Sequence, residues 1–515
     1  MMAPISMLDQ WAKSRPRHVA FIARNEIWTY QRLAAEADRA ARGFLARGVR
    51  PGDRVALHMA NLPEMIVAYY ACFRIGAIAS PLNNRFKTSE LKQVLQRLQP
   101  ALYIGQAQLY PAVEAVDSTI LPPSTRYIVG GAVDADGAQP WASLLEDTAD
   151  ISMPRVPDID SPAVLLTTSG TTGQPKFVVH TPPTLSAISD TCVELGLQKD
   201  HVVCNFVPMV HASGLFVLLF CMRLGVQMIL FERFDADAVL DGIEAYRCNW
   251  MVGLPFMYAA LLETQWTQPR KIDSLRCCLT AGDVCPQQLQ QEFPYAFGIP
   301  LRSVWAATET GSLTFGLQLG PVARVVLGAQ IRLVDSDGES VTRGEVGELW
   351  IRGPNVTPGY WVGPGRIEDP TFGGWFPTGD LMRQGEGDDL WFVSRKKDLI
   401  IRGGSNISPV EVERVLKNHP AVHDAAVFGV PDAVLGERVA ALVQLTGDAS
   451  RAAREHILAS AKAALADYKI PEQLEIVSEI PRNGLGKIDR KLLRAIMVTK
   501  TKDSPLPSER SLVPH

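Results

Sequence analysis

The chain has 515 residues, 47% hydrophobic and 21% charged, with a formal net charge of -4. That length exceeds what one compact core holds, so more than one domain is predicted. The slight negative balance speaks against binding nucleic acid by bulk attraction, and no arginine-rich block or zinc-type cysteine spacing offsets it.

The eight cysteines fall between Cys72 and Cys285 among mostly apolar neighbours, as in Phe220-Cys221-Met222. They read as buried free thiols of a reducing compartment, with Cys277 and Cys278 as strand filler. The first residues carry no basic region ahead of an apolar run, and no apolar run is long enough to span a bilayer. A soluble cytoplasmic protein without membrane insertion is expected.

Residues 9–48 read as amphipathic helices around a short strand pair at 21–22 and 28–30. A strand at 54–59, a helix at 63–75 and a strand at 77–82 make a βαβ unit with parallel pairing. A helix capped by Thr88 or Ser89 follows, then a strand at 101–104. Further apolar strands are predicted at 202–207, 227–231, 250–252 and 276–280, with helices between most of them, a pattern that suits large layered α/β sheets. From Gln330 the texture changes to a small β-rich lobe, with strands at 330–334 and 348–352 and a turn at Asp335-Ser336-Asp337-Gly338. The charged run Arg395-Lys396-Lys397-Asp398 places the main boundary. Beyond it, Ser408-Pro409-Val410-Glu411 reads as a capping box with proline at the first helical position. Strands at 425–430 and 439–445 and a helix at 452–466 complete a compact α+β domain. The predicted organisation is a domain over 1–396, a small mobile domain over 397–500, and a disordered tail over 501–515.

The stretch 165–181 carries the strongest chemical signal. It starts as an apolar strand and breaks into Thr168-Ser169-Gly170-Thr171-Thr172-Gly173. Alternating hydroxyl residues and glycines let successive N–H groups turn toward one concavity, a nest that holds phosphate. Lys176 adds a mobile point charge of the kind lysine offers a phosphate chain. Gln174 and Pro175 separate Gly173 from Lys176, so this is not a Walker A loop, which ends G-K-[ST]. Read alone, the run is equally compatible with a surface loop.

With Pro175 and Lys176 included, the string closely resembles the signature loop of the adenylate-forming superfamily: acyl-CoA synthetases, adenylation domains of peptide synthetases, and luciferases. Downstream segments match that family in its order, so the resemblance covers nearly the whole chain. Trp305-Ala306-Ala307-Thr308-Glu309 is similar to the family segment whose aromatic stacks on adenine, whose threonine touches phosphate and whose glutamate ligates Mg2+. Trp305 stands for the usual tyrosine and Ala306 for the usual glycine. Ala281-Gly282-Asp283-Val284 resembles the segment along the adenine edge. Thr378-Gly379-Asp380 looks like the segment whose aspartate binds the ribose hydroxyls, and Arg395 matches a ribose-contacting arginine, with Ser394 where glycine is usual. Lys397 falls at the hinge position, and Gly403-Gly404 resembles the loop lining the pantetheine tunnel for CoA. Pro481-Arg482-Asn483-Gly484-Leu485-Gly486-Lys487 resembles the C-terminal motif whose lysine bridges the acyl carboxylate and the α-phosphate. His211, in Pro208-Met209-Val210-His211-Ala212-Ser213-Gly214, matches a position at the mouth of the acyl pocket, which Ala281 and Ala306 would also line.

The resemblance implies an ATP- and Mg2+-dependent ligase. A carboxylic acid becomes an acyl-adenylate with release of pyrophosphate, and CoA then takes the acyl group and expels AMP. Lys487, Lys176, Thr308 and Glu309 are the implied catalytic set. An acid of this kind is already ionised at neutral pH, so the task is to bring an anion onto a polyanion. Small Ala306 implies an acid larger than acetate, either a medium-chain fatty acid or an aromatic acid. The partners are then small molecules rather than nucleic acid, and a homodimer stays open. CoA is preferred as acceptor because the chain after Lys487 is too short for a carrier domain. An adenylation enzyme loading a separate carrier protein, an inactive nucleotide-binding homologue and a luciferase-like oxygenase remain as alternatives.

Overall fold

A computed structural model describes residues 2–131, 137–146, 151–153, 158–168, 175–315, 322–325, 328–385, 389–402, 405–432, 434–447, 453–482 and 487–502. The chain divides into two compact units. The larger takes the chain up to Arg332, then Trp350–Thr378 and Gly385–Trp391; the smaller takes Leu333–Leu349, Gly379–Gln384 and the chain from Phe392 onward. Its mixed α/β build, with large sheets and a C-terminal domain, is the expected fold class.

In the larger unit one sheet runs Arg366–Glu368, Tyr360–Gly363, Lys176–His180, Val164–Thr168, Ile78–Pro81, Arg54–His58, Leu102–Gln106, Arg126–Val129, Gln139–Pro140. It is parallel from Val164–Thr168 onward and antiparallel before it. The predicted βαβ unit is present, with Arg54 opposite Ile78 and Leu57 opposite Pro81. Its helix, Pro63–Ile75, starts on a proline whose missing N–H would be unpaired there anyway, and stops at Gly76 in the left-handed region. All its residues except Glu64 and Arg74 are buried. A helix apolar on every side belongs in a middle layer, where each large apolar side chain contributes roughly 1.5–3 kcal/mol.

A second run of strands in this unit goes Val322–Val325, Gly311–Phe315, Leu301–Ala307, Cys277–Thr280, Trp250–Gly253, Val202–Asn205, Gln227–Leu230, Val19–Ala23, Glu26–Thr29. From Leu301–Ala307 to Val19–Ala23 the strands are parallel, so their carboxyl ends share one edge. All eight cysteines are buried free thiols, Cys277 and Cys278 within a strand as expected.

In the smaller unit Val422–Asp432 and Gly436–Leu445 form a long antiparallel pair, joined by Ile400–Arg402, Ser405–Ile407 and Gln473–Val477. The period of two shows in its cores. Ala425, Val427, Val439, Ala441 and Val443 face one cluster with Leu416 and Ile457, whereas Ala426, Phe428, Ala440 and Leu442 face another with Leu493 and Met497.

Several local readings are corrected. The helix Thr88–Leu98 is capped at Lys87 rather than Thr88 or Ser89: the Lys87 N–H donates to the Glu90 carboxylate at 2.9 Å. Ser408 does cap Pro409–Lys417, accepting from the Glu411 N–H, but the Glu411 carboxylate pairs with Lys469 instead of closing the box. Lys176–His180, Gln473–Val477 and the helix Arg490–Lys502 are elements the sequence reading omits. That helix runs past the expected start of the tail, and the rest of the tail, 503–515, lies outside the described residues.

Candidate active site

Ligands of open parallel sheets sit beyond the carboxyl ends of the strands, and the larger unit's expected residues gather there. After Val202–Asn205 the chain reaches His211, the N-cap residue of the helix Ala212–Leu224. Gly214 lets that helix approach the turn before it: a Cβ there would stand 2.4 Å from the Pro208 carbonyl oxygen. After Cys277–Thr280, the Ala281 N–H donates to the Gly253 carbonyl at 3.0 Å, and Gly282 adopts φ +88, a value suited to glycine. Asp283 Oδ1 accepts from the Val284 N–H at 2.9 Å.

Leu301–Ala307 continues as a hairpin into Gly311–Phe315, with a register shift between Trp305 and Ala306. Such a bulge re-aims side chains next to a site. Thr308, Glu309 and Thr310 form the turn, and each of their carbonyls accepts a hydrogen bond. His180 Nε2 donates to the Thr308 oxygen at 2.8 Å, the Thr357 N–H to that of Glu309 at 2.7 Å, and Asn355 Nδ2 to that of Thr310 at 2.7 Å. Burial pushes the His180 imidazole down to about 4, so the ring is neutral at pH 7; its Nε2 holds the proton, because a carbonyl only accepts.

The side chains meet above this frame. Tyr360 Oη donates to Glu309 Oε1 at 3.1 Å, and the Lys176 ammonium lies 4.4 Å from the centre of the Tyr360 ring. Burial, then the Glu309 charge, push the Tyr360 phenol up, so it remains a donor. Thr168 and Lys176 are cross-strand partners, which pins both ends of the expected phosphate loop side by side. The loop residues Ser169, Gly170, Thr171, Thr172 and Gly173 lie outside the described residues, as do Gly403 and Gly404. Tyr360, His180, Asn355 and Thr357 are additions that no local pattern singles out. Their partners are 51, 128, 45 and 48 positions away in the chain respectively, so only the fold pairs them.

The smaller unit brings Asp380 and Arg395 together, Arg395 Nε standing 3.4 Å from Asp380 Oδ1. Ser394, beside them, is fully buried. Lys396 bonds Glu348 at 2.9 Å, and Lys397 is exposed in the short helix Lys396–Asp398. Lys487 is half-buried next to a bridge between Arg482 and Ile488 that closes the motif.

Residues 8–361 match the AMP-binding enzyme family, and residues 411–487 match the AMP-binding enzyme C-terminal domain. The chain belongs to the AMP-binding enzyme family. It is 33% identical to the medium-chain fatty-acid–CoA ligase of Escherichia coli K12, over 97% of this chain and 92% of that one. It is 30% identical to the indoleacetate–CoA ligase of Aromatoleum aromaticum, over 96% and 98%. Among solved structures, an anthranilate–CoA ligase in complex with anthranoyl-AMP superposes with a TM-score of 0.89 at 25% identity, covering 97% and 98% of the two chains. An o-succinylbenzoate–CoA synthetase from Bacillus subtilis, in complex with ATP and magnesium, superposes at 0.82 with 28% identity, covering 95% and 99%. The chain is therefore an AMP-forming acid–CoA ligase that uses ATP. Among the described residues no helix is long and apolar enough to cross a membrane.

Proposed function

We propose that this ligase activates a medium-chain fatty acid or an aromatic acid and transfers it to CoA. The observation that carries the site reading is the Lys176–Tyr360–Glu309 arrangement, a cation over the face of one ring and a carboxylate at its hydroxyl, beyond the carboxyl ends of the strands. A phosphate chain with its cation needs such a pair. One carboxylate suits a hard cation that keeps its waters and arrives with phosphate oxygens, so Glu309 would hold Mg2+. When bound, that ion would offset phosphate charge in the transition state.

Each residue then has a role. The loop from Thr168 to Gly173, with Lys176 and Thr308, would bind the phosphates. Trp305 would stack on adenine beside Gly282, Asp283 and Val284. Asp380 would accept the ribose hydroxyls, with Arg395 orienting its carboxylate. Lys487 would hold the acid's carboxylate against the α-phosphate, aligning attack and departure of pyrophosphate. Once adenylate has formed, the smaller unit would turn about Lys397 and bring Gly403 and Gly404 to the thiol's path. His211, Ala281 and Ala306 would line the acyl pocket, and the small Ala306 leaves room for a chain or ring. Relatives named for a medium-chain fatty acid and for indoleacetate support an acid of that size.

The test is a pyrophosphate-release screen over acids graded in length and aromaticity, with free CoA as sole acceptor. Turnover is expected with medium-chain or aromatic acids, together with thioester formation. Robust turnover of acetate alone would refute the substrate reading, and adenylate formation without thioester would refute CoA as acceptor.

A further inference from the structure

We propose that Glu348 is a positioning residue for the nucleotide's ribose, one carboxylate that holds both arms of the Asp380–Arg395 pair. This rests on the reading of that pair as the ribose site. Glu348 lies in the strand Val346–Arg352, next to Phe376–Gln384, which in turn neighbours Leu390–Arg395. The residue is only 7% exposed, and each of its oxygens has a partner. Oε1 accepts from the Gly379 N–H at 3.1 Å, and Oε2 accepts from the Lys396 ammonium at 2.9 Å. Gly379 directly precedes Asp380, and Lys396 directly follows Arg395. All five residues belong to the smaller unit.

A pair of ribose hydroxyls needs a carboxylate aimed at them, and the aim of Asp380 is set by the backbone just before it. Gly379 has φ +73, and a Cβ there would meet nothing within 4 Å, so conformation rather than space calls for glycine. Glycine has the most backbone freedom of any residue, and a charge-assisted bond from its N–H to a buried carboxylate restrains it. On the other arm, Arg395 stands between fully buried Ser394 and Lys396. The Lys396 side chain is 56% exposed, so Glu348 rather than enclosure fixes its ammonium. A buried carboxylate is costly to desolvate unless its lone pairs are met. Here the two groups that meet them flank the two ribose residues.

The test measures calorimetric binding of AMP, 2′-deoxy-AMP and 3′-deoxy-AMP to the full-length enzyme. Wild type is expected to prefer AMP by about tenfold or more, since a site built for a hydroxyl rejects the analogue lacking it. Glu348→Ala removes both bonds. Its AMP affinity is expected to fall about tenfold, while each deoxy form changes by less than about threefold, so the preference contracts. Glu348→Gln removes the charge and Lys396→Met the surface end of the pair, and each should contract the preference about threefold. These two keep the buried packing and carry the test where Glu348→Ala does not fold. Asp380→Asn is the control for the ribose reading. An unchanged preference in the Glu348 and Lys396 variants, with affinity for all three nucleotides lowered alike or not at all, overturns the role of Glu348 when Asp380→Asn does contract it. A wild type without preference, or an Asp380→Asn enzyme that keeps it, overturns the ribose assignment beneath.

Discussion

Gly214 ties a single missing methyl to the acyl side of the site. A Cβ there would lie 2.4 Å from the Pro208 oxygen and 2.6 Å from the Met209 nitrogen, both backbone atoms that cannot swing aside. The same Pro208 carbonyl accepts the His211 N–H at 3.1 Å. Gly214→Ala must therefore move the turn that presents His211. It is expected to cost about 1–3 kcal/mol of stability, read as a lower thermal midpoint. On the proposed pocket it also raises KM for the acid more than for ATP; the reverse order would detach His211 from the acyl pocket. Tyr360 shows what residue-level reading misses. Nothing in Gly359-Tyr360-Trp361 signals a partner to Glu309, because the contact exists only once two distant strands are paired.

At the scale of elements, two strands end on buried histidines. His58 closes Arg54–His58 and meets the Tyr103 hydroxyl at 2.9 Å; His180 closes Lys176–His180. Burial holds both imidazoles down to about 4, against 6.5 for an unburied one. A lowered histidine is protonated in the unfolded chain before the folded one, so stability falls as pH drops from about 6.5 toward 4. Each should cost about 2 kcal/mol between pH 7 and 5. Urea unfolding at pH 7, 6 and 5 measures this, and His58→Asn should flatten the slope by one histidine's share. In the smaller unit Glu413, buried in the helix Pro409–Lys417, accepts from the Val427 N–H and from Arg490 of the helix Arg490–Lys502. Burial pushes its carboxyl up, against the pull of Arg490 and Lys417. Glu413→Leu leaves both donors without it and should destabilise by about 3 kcal/mol, which the urea midpoint checks. The element boundaries that were legible had punctuation: Pro63 and Gly76 bracket a helix. The helix Arg490–Lys502 was not legible, since its known buried positions, Leu493 and Met497, sit among charges.

At the scale of the whole molecule, Lys176 belongs to the larger unit and Lys487 to the smaller. On the proposed chemistry one site serves two opposed steps, with Lys487 needed only for the first. Lys487→Ala is expected to lower adenylate formation by at least about a hundredfold while still converting supplied acyl-AMP and CoA to thioester. Rapid-quench measurement of each half-reaction separates them, and equal damage to both would contradict the domain movement.

The sequence by itself determined the family, the α/β class, the order of the motifs and the chemistry class. Those reside in local strings such as Thr378-Gly379-Asp380, whose residue types suit their ligands wherever the chain places them. Only the tertiary structure decided that His180, Asn355 and Thr357 hold the turn at Glu309, and that Tyr360 touches both Glu309 and Lys176. The reason is physical: hydrogen bonds and ring contacts are satisfied by whatever lies within a few ångströms. Sheet pairing and the buried core, rather than spacing along the chain, set which residues those are.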